Sequence, residues 1–153
     1  MEQIAEPLEK LVPHRGKMLL LSEALYFEEK NSSLLAKVNI SKDSFFYDEK
    51  LNGVPAWIGF EYMAQAIAAL NGKKELASGQ DPGFGFILSV SNFIANTPCF
   101  KPDSVIFIYV EEALRLDNMF VFNCSIKQNE EELAKASMNV VKINDASIAD
   151  INA

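Results

Sequence analysis

Two side chains in this sequence carry the chemistry worth asking about, Glu61 and His14. Glu61 is the only charged residue in the run GVPAWIGFEYMAQAIAALNG (53–72), and His14 is the only histidine in the chain. Burial disfavours the charged form of a carboxyl group, which turns a buried Glu into a proton donor near neutrality. At helical spacing Glu61 shares one side with Trp57, Ala64, Gln65 and Ala68. A helix that starts near Pro55 also presents the N–H groups of Ala56 and Trp57, which suit a carbonyl oxygen on which negative charge develops. Glu61 and His14 are therefore the candidate catalytic residues, with Ala56, Trp57 and Gln65 as candidate substrate contacts. The plainer alternative is structural: a carboxylate satisfied by backbone amides at a subunit seam, and an imidazole that braces the start of a strand.

Periodicity predicts the elements that must hold these groups. Residues 5–12 form a short helix that stops before Pro13. Residues 18–29 and 32–40 read as two strands around the turn KNSS, the second alternating Leu34, Ala36, Val38 and Ile40 with Leu35, Lys37 and Asn39. A loop with aromatic anchors spans 43–54. One long helix runs from Ala56 to about Leu76, with Gly72, Lys73 and Lys74 marking its C-terminal end. Four β-rich runs follow, at 84–95, 104–115, 119–128 and 132–143, separated by turn residues. The expected class is α+β, with one apolar helix that a curved antiparallel sheet must wrap. Trp57, Ile58, Phe60, Met63, Ala64, Ile67, Ala68 and Leu70 leave this helix almost no polar face. A single sheet cannot bury it all round, so a second subunit is expected to cover the remainder.

At 153 residues the chain fits a single domain, 1–153, with a core over about 11–143 and a tail at 145–153 expected to fray. The formal net charge of −7 argues against nucleic acid as a partner, because phosphate contacts need a basic surface. Lys10, Arg15 and Lys17 form the one basic concentration, a candidate docking patch for an acidic partner or a plain solvated face. Cys99 and Cys124 match no metal-ligand spacing, so no metal and no cofactor are expected, and both thiols read as reduced. No run is long and apolar enough to cross a bilayer and no secretory signal is visible, so a soluble, cytoplasmic protein is expected. Met18, Met63, Met119 and Met138 read as core fillers. Tyr62 faces either the core or a subunit partner.

Three segments carry a family resemblance. LVPHRGKMLLLSEAL (11–25) resembles the opening LLPHR-x-P-FLLVDRV of hot-dog-fold 3-hydroxyacyl-acyl-carrier-protein dehydratases, the FabZ/FabA group. PAWIGFEYMAQ (55–65) is similar to their PGVLIVEAMAQ helix, in the form associated with the ApeP-like branch of aryl-polyene gene clusters, and SVSNFIANTPCFKPDSV (89–105) is similar to KARFRRPVVPGD. The resemblance implies a hot-dog fold and a dimer whose active sites lie at the interface, with a His from one chain and a Glu or Asp from the partner's helix. It also implies water elimination from a 3-hydroxyacyl thioester on an acyl-carrier protein or coenzyme A. The helix carboxylate then corresponds to Glu61, and the carbonyl-binding N–H to Ala56, where relatives have Gly.

One departure bears on activity. Relatives read FF-x-GHFPG before the helix, and that His is their base; here FFYDEKLNG (45–53) is two residues shorter and puts Glu49 where the His belongs. Activity then requires a substitute, either His14 or a carboxylate at Asp48 or Glu49. Three readings stand: a dehydratase with Glu61 as acid/base, an inert hot-dog subunit that completes a heterodimer with an active chain, and an acyl thioesterase.

Overall fold

The computed structural model describes residues 1–79 and 86–142. Its frame is a seven-stranded antiparallel sheet curled around one helix. In chain order the elements are β1 (Glu2–Gln3), α1 (Leu8–Leu11), β2 (Glu23–Glu28), β3 (Ser33–Ile40), β4 (Val54–Pro55), α2 (Gly59–Ala77), β5 (Phe86–Ala95), β6 (Cys99–Phe100), β7 (Ser104–Leu116), β8 (Met119–Gln128) and β9 (Glu131–Lys142). The large sheet runs β1-β2-β3-β7-β8-β9-β5, and β4 pairs with β6 in a small second ladder.

The alternation expected on β3 is observed: Leu34, Ala36, Val38 and Ile40 are buried, and across the ladder they meet Val110, Ile108, Ile106 and Ser104. Phe122, Cys124 and Ile126 on β8, with Ala134, Ala136, Met138 and Val140 on β9, continue the same inner face. Onto it pack Met63, Ala66, Ile67 and Leu70 from α2. A two-residue period on the sheet thus meets a 3.6-residue period on the helix, which is what the apolar spacing requires.

Several expectations are corrected by this arrangement. The apolar stretch at 18–21 is not strand: a 3₁₀ turn (Gly16–Met18) precedes it, and the backbone of Met18, Leu20 and Leu21 bonds to the Gln65 side chain rather than to a neighbouring strand. Helix α2 begins only after a further 3₁₀ turn (Ala56–Ile58), and it passes straight through Gly72 to Ala77. Gly72 is a packing residue, since any Cβ there would overlap the Leu11 carbonyl. Of the four methionines expected in the core, Met63 and Met138 are buried, whereas Met18 and Met119 are exposed in a 3₁₀ turn and at a hairpin end. Tyr62 is a core residue beside the Phe100 ring, and burial raises its phenol above the ordinary value. The first two residues of the strand expected at 84–95, the last of the strand expected at 132–143 and the tail at 145–153 lie outside the described residues.

Candidate functional site

The segment from Pro13 to Leu21 leads over the first turns of α2, and this crossing brings His14 to Glu61. His14 Nε2 stands 3.9 Å from Glu61 Oε1, with the two side chains 27 % and 29 % exposed. That separation is beyond a hydrogen bond but within ion-pair reach. The other imidazole nitrogen, Nδ1, is buried without a hydrogen-bond partner among the described residues. Nε2 is therefore the nitrogen with access to anything that approaches Glu61.

Gln65 lies one turn beyond Glu61 and is fully buried. Its Oε1 accepts from the Leu20 N–H at 2.9 Å and the Leu21 N–H at 3.4 Å. Its Nε2 donates to the Met18 carbonyl at 2.7 Å and to Glu61 Oε1 at 3.3 Å. Both lone pairs and both N–H groups of the amide are engaged inside the protein, leaving no capacity for a substrate contact.

The helix start also differs from expectation. The Ala56 N–H donates to the Pro98 carbonyl at 3.1 Å, because the β4–β6 ladder sets Ala56 against the strand end. It is not free to meet a carbonyl oxygen. The Trp57 N–H, next in the 3₁₀ turn, has no backbone acceptor among the described residues. The Trp57 side chain is 58 % exposed and rests on the Phe46 ring, which is itself edge-on to Phe45. Phe60 and Ala64 are half-buried on the same side of the helix. Trp57, Phe60, Glu61 and Ala64 thus make an open stripe at the start of a helix whose middle, Gln65 to Leu70, is buried. Among the described residues, the cavity beside the 17–20 segment is lined by Lys17, Leu19, Leu20, Phe45, Phe46 and Tyr62 rather than by Glu61 or His14.

The remaining candidates are placed elsewhere. Asp48 accepts from the Lys50 N–H and closes a turn through its bridge to Gly53, and Glu49 is exposed at that turn. No hydrogen bond or ion pair joins either to Glu61 among the described residues. Arg15 is also spent: its guanidinium donates to the carbonyls of Glu9, Val12 and His14, closing the end of α1. Lys10 and Lys17 are the other cations of the expected patch, and all three are exposed. Cys99 and Cys124 are free thiols in the core, and burial pushes the Cys124 thiol up to about 12. No helix among the described residues is long and apolar enough to cross a membrane.

Sequence reasoning missed the Gln65 clamp and the Arg15 cap. Both depend on which carbonyls the folded chain brings within reach, a fact that local spacing does not contain.

Comparisons with known proteins set this geometry in a family. In solved structures the chain is similar to the dehydratase heterocomplex ApeI:P from Xenorhabdus doucetiae, at 22% identity and a TM-score of 0.87, covering 97% of this chain and 99% of that one. It is also similar to an uncharacterized protein from Pyrococcus horikoshii, at 8% identity and a TM-score of 0.69, over 95% of this chain and 97% of that one. A hypothetical thioesterase protein with coenzyme A from Streptococcus pneumoniae gives 12% identity and a TM-score of 0.58, over 80% of this chain and 85% of that one. At such identities these likenesses show the hot-dog fold. No curated protein matches in sequence. The ApeP-like family, described as ApeP dehydratase, matches residues 6–150. The chain belongs to the ApeP-like dehydratase family.

Proposed function

We propose that this chain is one subunit of a hot-dog dehydratase that removes water from a 3-hydroxyacyl thioester, with Glu61 and His14 as its acid/base pair. The thioester is carried by an acyl-carrier protein or coenzyme A. The observation that carries the reading is the 3.9 Å approach of His14 Nε2 to Glu61 Oε1 on an open apolar face.

Elimination needs two proton transfers. A base takes the proton from carbon 2, and an acid gives one to the hydroxyl leaving carbon 3, so that the double bond forms as the C–O bond breaks. A neutral imidazole beside a protonated carboxyl group supplies both: His14 Nε2 takes, and Glu61 gives. The products are the enoyl thioester, water, imidazolium and carboxylate. The cycle closes when the proton gained by His14 is passed back to Glu61, across the 3.9 Å gap or through solvent.

The site needs a second wall, and a related hot-dog subunit or another copy of this chain supplies it. Three features support that assembly. The stripe Trp57–Ala64 is uncovered in a single chain. Among the described residues strand β5 pairs with β9 on one side only, and it exposes Val90 and Ile94. An edge of unpaired N–H and C=O groups is a template for another strand. The similar structure from Xenorhabdus is itself a heterocomplex.

A second reading keeps the assembly and drops the chemistry. It is favoured by the occupied Ala56 N–H and by Glu49 in place of the histidine that relatives use. In that case this chain is the inert partner of an active one.

The test is turnover of a 3-hydroxyacyl thioester, with absorbance of the conjugated product followed for this chain alone and mixed with a related hot-dog dehydratase subunit. Glu61→Gln is expected to lower the rate by about 10²–10⁴-fold. Turnover that appears only in the mixture and survives Glu61→Gln overturns the acid/base role and leaves the inert-partner reading.

A further inference from the structure

We propose that the cavity between the 17–20 segment and the 43–46 loop is a binding site for a small uncharged aromatic molecule bearing an oxygen acceptor, to which the Tyr62 hydroxyl donates. The proposal does not rest on the acid/base reading, because it concerns another side of the helix.

Glu61 and Tyr62 are neighbours in sequence but point about 100° apart round α2. Gln65 lies between these two directions, and its bonds to Met18, Leu20 and Leu21 lay the 18–21 segment along that line. The segment therefore parts the Glu61–His14 pair from a cavity of about 400 Å³ on its other side.

Tyr62 is only 3 % exposed and lines that cavity. Its hydroxyl has no hydrogen-bond partner among the described residues. Nor is it sealed: among those residues the side-chain polar atom that is both unbonded and shut off from solvent is His14 Nδ1. The Tyr62 hydroxyl thus opens onto the cavity. A phenylalanine would fill the same space beside the Phe100 ring without stripping water from a hydroxyl. The FabZ-type pattern PGVLIVEAMAQ has Ala at this position, so the donor belongs to this chain's own version of the helix. Burial raises the phenol, which therefore keeps its proton near neutrality and remains a donor.

The walls define the rest of the ligand. Phe45 and Phe46 meet edge-on with centroids 4.8 Å apart, and both line the cavity with the Tyr62 ring. Leu19, Leu20 and Val38 complete an apolar lining. Three rings suit a guest that stacks on them or meets them edge-on. Ligand pockets run from roughly 300 to 1,000 Å³, so this one is sized for a single ring with a short substituent. Lys17 and Asp43 also line it, one of each sign, and favour no net charge on the guest.

Acetophenone is the probe: its carbonyl accepts a hydrogen bond and cannot donate one. Carbon-edited NMR should show saturable shifts at the methyl groups of Leu19, Leu20 and Val38, with the Ala64 methyl on the open stripe unmoved. Tyr62→Phe keeps the ring and removes the donor, and should weaken binding about tenfold. Phe45→Ala, at an exposed position, should weaken it as well. Shifts that fail to saturate, or that centre on Ala64, would overturn the proposal, as would equal affinity in Tyr62→Phe. On the wild-type protein the Tyr62 Cζ resonance should move together with the methyl groups. A static Cζ overturns the hydroxyl's role even if Tyr62→Phe does not fold.

Discussion

The two ends of helix α2 are built from the same apolar sequence and finished in opposite ways. At the C-terminal end the long polar side chains are tied to the rest of the chain. Lys73 is nearly buried, yet its ammonium donates to both oxygens of Glu6 and lies 3.4 Å from Glu2. Lys74 donates to Ser32, Asn71 to Glu75, and Gly72 lets the Leu11 backbone pack directly on the helix. At the N-terminal end Trp57 projects into solvent, His14 Nδ1 has no partner among the described residues, and Glu61 meets its histidine across a gap too long for a hydrogen bond. One end is closed by its own chain and contributes stability. The other is left incomplete in the single chain, which is the mark of a surface that a substrate or second subunit finishes.

Breaking the closed end should cost most. Gly72→Ala drives a methyl group into the Leu11 carbonyl, with backbone on both sides and no flexible side chain to yield. A loss of about 3 kcal/mol, or failure to fold, is expected from urea denaturation.

Next in size is Lys73→Met, expected to cost about 1–2 kcal/mol at neutral pH by removing the bonds to Glu6. Hydrogen bonding to Lys73 holds the Glu6 carboxyl below its ordinary value of 4.5. A carboxylate lowered in the folded state adds stability above its unfolded value and loses it as pH falls through the folded one. The wild-type advantage over Lys73→Met should therefore be full near neutrality and shrink below pH 4.5. A difference that persists unchanged at lower pH would remove the ion pair as its cause.

At the open end stability should barely respond. Trp57→Ser and Glu61→Gln are expected to shift unfolding by no more than about 0.5 kcal/mol in the isolated chain. Trp57→Ser should weaken assembly with a second hot-dog chain, as read by sedimentation. Large destabilisation by either would make this end part of the monomer's own core.

The smallest effect concerns the thiols. With Cys124 pushed up to about 12 by burial, its thiolate is scarce at pH 8, and alkylation should wait for unfolding. Labelling of native protein at Cys124 would show that the β8 core opens locally.

The sheet and the middle of the helix were the more legible parts of the sequence, whereas Gly72, read as a helix end, is a packing position inside it. Leu34 to Ile40 alternate with period two, and the helix carries too much apolar surface to be anything but central. The site was legible only as residue types. Glu61 and His14 are identified by rarity, and the structure does bring them together. The spending of Ala56, Gln65 and Arg15 on backbone partners was not readable, because those partners come from distant segments or from turns whose geometry only the fold defines. The 18–21 stretch shows the limit well. Its composition is that of a strand, and a single buried amide diverts its hydrogen bonds.

Trp57 is the only tryptophan in the chain, so its fluorescence reports directly on whether a second subunit finishes the open end. Emission and acrylamide quenching should be followed against concentration, with this chain alone and with a related hot-dog subunit, beside sedimentation of the same samples. A blue shift and loss of quenching that track assembly are predicted. Fully formed assemblies in which Trp57 still emits as a solvent-exposed indole would contradict the account.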